Sequence, residues 1–175
     1  MVVESMDKES KKMEKSHKLM LGVFIVVLIW SAIKPYSFIT WLPEALPAIV
    51  MVVGFGLTYN KYRLSNFAYF VIFIHIIIIL IGSKYTYERN PLFNYLMERY
   101  NLNRNYYDRV GHFAQGFTPA IVAKEILLKE GYLKRSKIFY YILMSIVLAI
   151  SAFYELIEFA TSKITGIPGY IILSY

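Results

Sequence analysis

Long uninterrupted apolar runs are the feature that most restricts what this chain can fold into. The clearest run, residues 64–82, reads LSNFAYFVIFIHIIIILIG and contains one ionisable side chain, His75. At ~1.5 Å per residue, an α-helix of this length crosses most of the ~30 Å apolar core of a bilayer. Only helices and closed β-barrels satisfy every backbone polar group in lipid, and the ten-residue alternation of a barrel strand does not occur. The run therefore predicts a membrane-spanning helix.

Four further runs have the same character. Together they predict an all-α, polytopic membrane helix bundle with about five transmembrane helices. The predicted spans are residues 19–33, 42–59, 64–82, 110–128 and 138–160. The first is short, but the flanking Lys18 and Lys34 can extend their side chains to the interface. The fourth is the weakest by hydropathy, because ionisable side chains such as His112 lie in it. A composition that is 57% hydrophobic agrees with this class of protein.

The segments outside the runs fit one integral-membrane domain. Residues 1–18 are polar and predict a cytoplasmic N-terminal segment, and residues 19–175 form the predicted domain. The connection over residues 83–109 is long and rich in Tyr, Asn and Arg. Within it, PLFNYLMERY (residues 91–100) predicts either an amphipathic helix in the membrane interface or an aromatic belt between two spans.

The distribution of charge predicts the orientation of the chain. The 19 lysines and arginines give a net charge of +7, but they lie mainly at the ends of apolar runs. That placement indicates membrane lipid as the partner and argues against nucleic acid. In a five-span bundle twelve of these residues lie on the side of the N-terminus and seven on the other, which predicts a cytoplasmic N-terminus. The chain has no cysteine, so disulfides and thiolate sites are excluded.

Ionisable side chains lie at matching depths in the fourth and fifth predicted spans. Asp108 and His112 are four residues apart and share a helix face, and Glu155 and Glu158 share a face of the next helix. With the N-terminus inside, both pairs lie near the outer face of the membrane. Such groups are unfavourable in lipid and usually face the bundle interior, where they pair with one another. We therefore expect the four to cluster, with His112 close to at least one glutamate.

Four interpretations of this cluster remain open. The imidazole and carboxylates are suitable ligands for a divalent metal. They could also be catalytic acid–base groups of an enzyme that acts on a cell-envelope lipid. Alternatively, they form a polar network in a structural scaffold, or line the path of a small transporter. Outside the cluster, His75 is interpreted as a core histidine with its own partners, and Glu125 is expected to pair with Lys129 or Lys124.

Three motifs indicate a family. In order, YTYERNPLFNYL, RNYYDRVGHFAQGFTPAIVAKEILL and AISAFYELIEFA resemble the YjdF-type family of bacterial inner-membrane proteins, which is catalogued as a domain of unknown function. The resemblance covers about residues 30–160 and implies a multi-pass protein of the bacterial inner membrane. A weaker similarity to VanZ-like membrane proteins implies a role in the cell envelope. Family members look longer, which implies that this chain is truncated at its C-terminus.

The resemblance also implies which polar residues matter. The family's polar positions fall on Tyr85, Tyr87, Glu88, Pro91, Arg104, Asn105, Tyr107, Asp108, Arg109, His112, Gln115, Glu155 and Glu158. The predicted catalytic or metal-binding residues are Asp108, His112, Glu155 and Glu158. The residues predicted to bind or orient a substrate beside them are Arg104, Arg109, Gln115, Tyr107 and Glu88. The family supplies no function, and the sequence indicates no particular oligomeric state.

Overall fold

The computed structural model describes residues 14–165, apart from the side chains at positions 158, 161, 162, 164 and 165. The helices are α1 (Lys15–Ala32), α2 (Phe38–Thr58), α3 (Asn66–Tyr85), α4 (Pro91–Tyr100), α5 (Tyr107–Lys129) and α6 (Lys137–Thr165). No strand occurs in this part of the chain, and the predicted all-α fold is confirmed. Helices α1, α2, α3 and the Lys137–Ile157 part of α6 are long and apolar enough to cross a membrane.

Helix α5 is the fifth helix of membrane-spanning length. Its 23 residues extend about 35 Å, but it does not qualify as a span by composition. It packs against α3 on one side and α6 on the other. The most polar of the long helices therefore has protein neighbours on two sides, as expected where ionisable groups are kept away from lipid.

Several helix boundaries differ from the predicted ones. Helix α2 begins at Phe38, after Ser37, whose hydroxyl accepts a hydrogen bond from the Thr40 N–H at 3.4 Å. It therefore begins four residues before the predicted start at residue 42 and contains Pro43 and Pro47. Helix α5 begins at Tyr107, so Asp108 lies in its first turn, where the helix dipole favours a negative charge. The helix predicted over residues 91–100 also forms.

Helix α3 is the centre of the bundle and packs against α1, α2 and α5. Its buried face repeats at helical spacing and includes Ala68, Ile72, Ile76 and Ile79. Small side chains allow the helices to approach closely: Ala45 and Ala48 of α2 and Ala68 of α3 are fully buried. This packing leaves much of α1, α2 and α6 exposed, as expected for surfaces that face lipid.

The antiparallel helices place the connections at two ends of the bundle. The cluster end contains the α1–α2 connection, the segment 83–109 and the C-terminal part of α6. Here Lys84 Nζ donates to the carbonyl oxygens of Trp30 and Ile33, at 3.0 and 2.6 Å, and closes the end of α1. The opposite end contains the α2–α3 and α5–α6 connections, where Arg63 pairs with Glu14 at 2.9 Å.

Glu125 lies at the opposite end and helps to fix the start of α3. Its carboxylate accepts hydrogen bonds from the Ser65 N–H and from Ser65 Oγ, the latter at 2.7 Å. The predicted pairing of Glu125 with Lys129 or Lys124 is therefore wrong. The free N–H groups at the start of α3 attract the carboxylate, and Lys129 Nζ donates to the Arg63 carbonyl oxygen instead.

Candidate functional site

A buried asparagine holds the start of α5 at the cluster end. Asn105 Nδ2 donates to the Asn90 carbonyl oxygen at 3.1 Å and to Asn94 Oδ1 at 2.7 Å. Asn105 Oδ1 accepts from the Tyr107 N–H at 2.9 Å, which satisfies one of the free donors in the first turn of α5. Asn90 in turn accepts from the first N–H groups of α4. A single side chain thus sets the position of α4 relative to α5.

Tyr107 fixes α5 against α3. Its ring is buried and its hydroxyl donates to the Ile78 carbonyl oxygen at 2.9 Å. The ring packs against Phe93 of α4, with centroids 5.3 Å apart, and against Tyr87, at 5.9 Å. Tyr107 was predicted to bind or orient a substrate, and the structure places its polar group on the backbone of α3.

Tyr87 lies between α3 and α5, and two glycines make room for its ring. A Cβ atom on Gly82 would lie 2.7 Å from Cε2 of the ring, and one on Gly111 would lie 3.0 Å from Cε1. Thr86 and Tyr87 both have left-handed backbone conformations, with φ of 53° and 52°. Because this region is unfavourable for a β-branched residue such as Thr86, the turn is held by the packing around it.

Three of the predicted catalytic or metal-binding residues lie together beside this ring. His112 Nε2 lies 3.3 Å from Asp108 Oδ1, and His112 Nδ1 lies 4.0 Å from Glu155 Oε1. The imidazole therefore lies between a carboxylate of its own helix and one of α6. The Asp108 side chain is only 12% exposed, whereas that of His112 is 41% exposed and can reach a ligand. The side chain of Glu158 lies outside the described part of the structure.

A cavity of about 370 Å³ extends from this cluster into the bundle. Helices α2, α3, α5 and α6 all contribute to its walls. Its lining residues are Pro43, Leu46, Pro47, Val50, Met51, His75, Ile79, Tyr87, Asp108, Gly111, His112, Gln115, Pro119, Ile150, Phe153, Tyr154 and Ile157. Val50 of α2 is 60% exposed and Phe153 of α6 is 66% exposed. The cavity is therefore open between α2 and α6, on the side of the bundle that faces lipid.

The deep part of the cavity holds two buried polar side chains. His75 is 7% exposed and Gln115 is 9% exposed. Within the described residues, His75 Nδ1 and Gln115 Nε2 have no hydrogen-bond partner. The interpretation of His75 as a core histidine with its own partners does not hold for this nitrogen. Both groups line the cavity, so a ligand there can reach them.

The other predicted orienting residues lie around the cluster and outside the cavity lining. The guanidinium of Arg104 lies over the ring of Tyr106, 5.4 Å from its centroid, and Arg109 is exposed on α5. Glu88 follows α3 and lies close enough to Asp108 for their charges to interact. Burial first, and the charge of Asp108 second, raise the pKa of Glu88, while Arg89 and Arg104 act in the opposite direction.

The metal site stays a prediction, because the side chain of Glu158 lies outside the described part of the structure. Among the described side chains, no three His, Asp or Glu groups are arranged so that they could hold one ion. The carboxylates of Asp108 and Glu155 lie at different ring nitrogens of His112, on opposite sides of its imidazole. The three groups therefore do not converge on one point.

Comparison with known proteins identifies the family. The family model described as "Predicted membrane protein (DUF2238)" matches residues 16–173. The chain belongs to this family. The "Inner membrane protein YjdF" of Escherichia coli (strain K12) is 40% identical to it over 141 residues, which are 81% of this chain and 68% of the relative. No solved structure matches the chain. The family predicted from the three motifs is thus confirmed, while the similarity to VanZ-like proteins stays a prediction.

For this member of the DUF2238 family, sequence reasoning named Gln115 in the deep part of the site but missed His75. His75 carried a signal, because it is the one ionisable residue in the most apolar span, but its exposure to a cavity was not foreseen. Pro43 and Pro47 also line the cavity, and no role was predicted for them. The signal that could have found them is the coincidence of helix-interior prolines with an isolated polar residue in a neighbouring span.

Proposed function

We propose that this integral membrane protein binds an amphiphilic lipid in the cavity between α2, α3, α5 and α6, with the lipid headgroup at the Asp108–His112–Glu155 cluster. The observation that carries the proposal is the form of the cavity. It has mostly apolar walls, opens between two helices on the lipid side, and has its carboxylate, Asp108, toward the cluster end and the polar side chains of His75 and Gln115 at depth. An amphiphile can enter it from the bilayer without leaving the apolar phase.

The charges around the headgroup position favour a cationic or hydrogen-bond-donating headgroup. Asp108 lines the cavity, and Glu155 lies next to the lining residue His112. Arg104 and Arg109, the cations nearest in sequence, are outside the lining. A protonated amine beside a partly buried carboxylate forms a charge-assisted hydrogen bond, which is stronger than a neutral one. A phospholipid with an amine headgroup, such as phosphatidylethanolamine, fits this chemistry better than phosphatidic acid.

The positive-inside count supports a cytoplasmic N-terminus, which would place the cluster end at the outer face of the membrane. The proposed ligand is then a lipid of the outer leaflet. This orientation and the ligand are separate proposals, because the cavity opens to lipid in either orientation.

Lipid binding can be tested by native mass spectrometry of the full chain, purified in detergent and delipidated. We expect phosphatidylethanolamine to bind at a defined 1:1 stoichiometry. Val50→Trp, which fills the cavity, should remove this binding, whereas Val53→Trp, on an exposed part of α2 outside the cavity, should not. Asp108→Asn should reduce the preference for phosphatidylethanolamine over phosphatidic acid, and Glu98→Gln on α4 is the matched control. Equal binding to the two tryptophan variants would contradict the proposal.

A second candidate function is general acid–base catalysis on the bound lipid. The observation in its favour is the position of His112, which lies between two carboxylates and remains accessible. A carboxylate beside an imidazole orients the ring, and an imidazole can both take up and release a proton near neutral pH. If this holds, the purified chain should hydrolyse phosphatidylethanolamine with water to phosphatidic acid and ethanolamine, because the headgroup is the part of the lipid at His112, and His112→Ala should not. If the lipid stays intact after prolonged incubation with the unsubstituted chain, as it should with His112→Ala, lipid binding remains the proposed function and catalysis is excluded.

A further inference from the structure

We infer that His75 and Gln115 form an inner subsite that binds the acyl ester carbonyl of the lipid. This inference rests on the proposed function and makes it more specific. It distinguishes ester-linked glycerolipids from amphiphiles that have no polar group below the headgroup. The two residues come from different helices, α3 and α5, and both line the same cavity.

The first argument is the cost of leaving these groups without partners. More than nine-tenths of each residue is buried, and neither His75 Nδ1 nor Gln115 Nε2 has a partner among the described residues. A buried polar group without a hydrogen bond is destabilising, and no bulk water is available at membrane depth to satisfy it. A ligand that supplies a hydrogen-bond partner at this position relieves that cost.

The second argument is the type of group that can bind. The amide nitrogen of Gln115 only donates hydrogen bonds, so its partner must be an acceptor. Nδ1 of the imidazole donates in one of the two neutral tautomers and can then share the same acceptor. The carbonyl oxygen of an ester has two lone pairs and donates nothing, so it can accept from both residues. An acyl ester therefore supplies the kind of acceptor that both groups lack.

The third argument is the distance from the headgroup position. Gln115 follows Asp108 by seven residues along α5, which places it about 10 Å deeper. The headgroup layer of each leaflet is about 5–8 Å thick, so the ester groups lie at a comparable depth below the headgroup once the reach of the side chains is included. A lipid with its amine at Asp108 thus has its ester region near Gln115.

Pro119 adds a feature to the same place. A proline in a helix interior has no N–H to donate to the carbonyl four residues earlier, which here belongs to Gln115. Pro119 also lines the cavity. The local helix is therefore less constrained next to the Gln115 side chain, and the amide can adjust to a bound carbonyl.

The test compares two lipids with the same headgroup. The delipidated full chain is titrated with ester-linked phosphatidylethanolamine and with its ether-linked analogue, which has the same chains but lacks both carbonyls. We expect the ester lipid to bind about five- to tenfold more tightly, the factor for about one hydrogen bond to a buried group. The comparison needs no variant, so it does not depend on whether a substituted protein folds.

Two substitutions locate the effect. Gln115→Leu should weaken binding of the ester lipid and so reduce its preference over the ether lipid, and should leave ether-lipid binding unchanged. Thr118→Val is the matched control, because Thr118 is buried on the same helix but is not part of the cavity lining. It should keep the ester preference. His75→Phe should reduce the preference in the same direction as Gln115→Leu.

The outcomes separate this inference from the proposed function. If neither lipid binds in the cavity, the proposed function is wrong and the inference falls with it. If both lipids bind equally to the unsubstituted chain, the cavity is a lipid site but the inner pair binds water only, and the inference alone is overturned. An ester preference that is the same in Gln115→Leu as in the unsubstituted chain would also overturn it.

Discussion

Replacing Asn105 by alanine should detach the start of α5 from α4. Asn105 is buried and its amide makes three hydrogen bonds: two donated to Asn90 and Asn94, and one accepted from the Tyr107 N–H. The substitution removes all three without introducing a new charge. Because Asp108 and His112 follow directly on α5, the same change should loosen the headgroup cluster.

The magnitude follows from which partners lose their hydrogen bonds. The Asn90 carbonyl oxygen still accepts from the Asn94 N–H at 2.9 Å, so it is not left alone. The buried Tyr107 N–H loses its acceptor, which costs about 1–3 kcal/mol, and the lost bond to the Asn94 side chain adds about 0.5–1.5 kcal/mol. We therefore expect Asn105→Ala to lower the free energy of unfolding by about 1.5–4.5 kcal/mol.

The assay is reversible unfolding of the purified full chain in detergent micelles, followed by circular dichroism. Asn103→Ala is the control, because residue 103 is exposed in the same connection and its substitution should change stability by less than about 0.5 kcal/mol. Asn105→Asp keeps the acceptor for the Tyr107 N–H and should lose less stability than Asn105→Ala. If Asn105→Ala and Asn103→Ala have the same free energy of unfolding, the stability of the connection does not depend on this hydrogen-bond network and the reasoning is refuted.

Three further predictions concern backbone packing, pH and topology. Gly82→Ala should lower the free energy of unfolding by about 1–3 kcal/mol, because the new Cβ overlaps the ring of Tyr87. Gly116→Ala is the control and should not lower it, because the space around Gly116 is open; the Tm values of the two variants are compared. The pKa of Glu88 is raised above its ordinary value of 4.5, so the folded state is penalised when this carboxyl ionises. Glu88→Gln should therefore match the parent chain below pH 4.5 and become more stable than it as the pH rises, measured as Tm against pH. Since the chain has no native cysteine, an impermeant thiol reagent applied to intact cells should label Glu98→Cys and not Lys134→Cys; the reverse pattern would place the cluster end in the cytoplasm.

Much of the fold follows from composition along the chain, because lipid limits the backbone to a few structures. A run such as residues 64–82 can satisfy its N–H and C=O groups at that depth only as a helix, so the number of long helices is predictable. The approach of His112 to Glu155 follows from a similar argument, since ionisable groups at one depth have few partners other than each other. Neither argument requires knowledge of which helix faces pack together.

The tertiary structure alone decided the cavity and its inner polar pair. Whether His75 has a partner depends on how α3 is rotated against α5 and on the gap left between α2 and α6, and these follow from side-chain packing over the whole bundle. Glu125 shows the same limit, because its partner Ser65 lies 60 residues away in the sequence and was not among the lysines expected nearby. Hydropathy and spacing report depth and helix face, but only packing decides which groups at that depth meet and which remain open to a ligand.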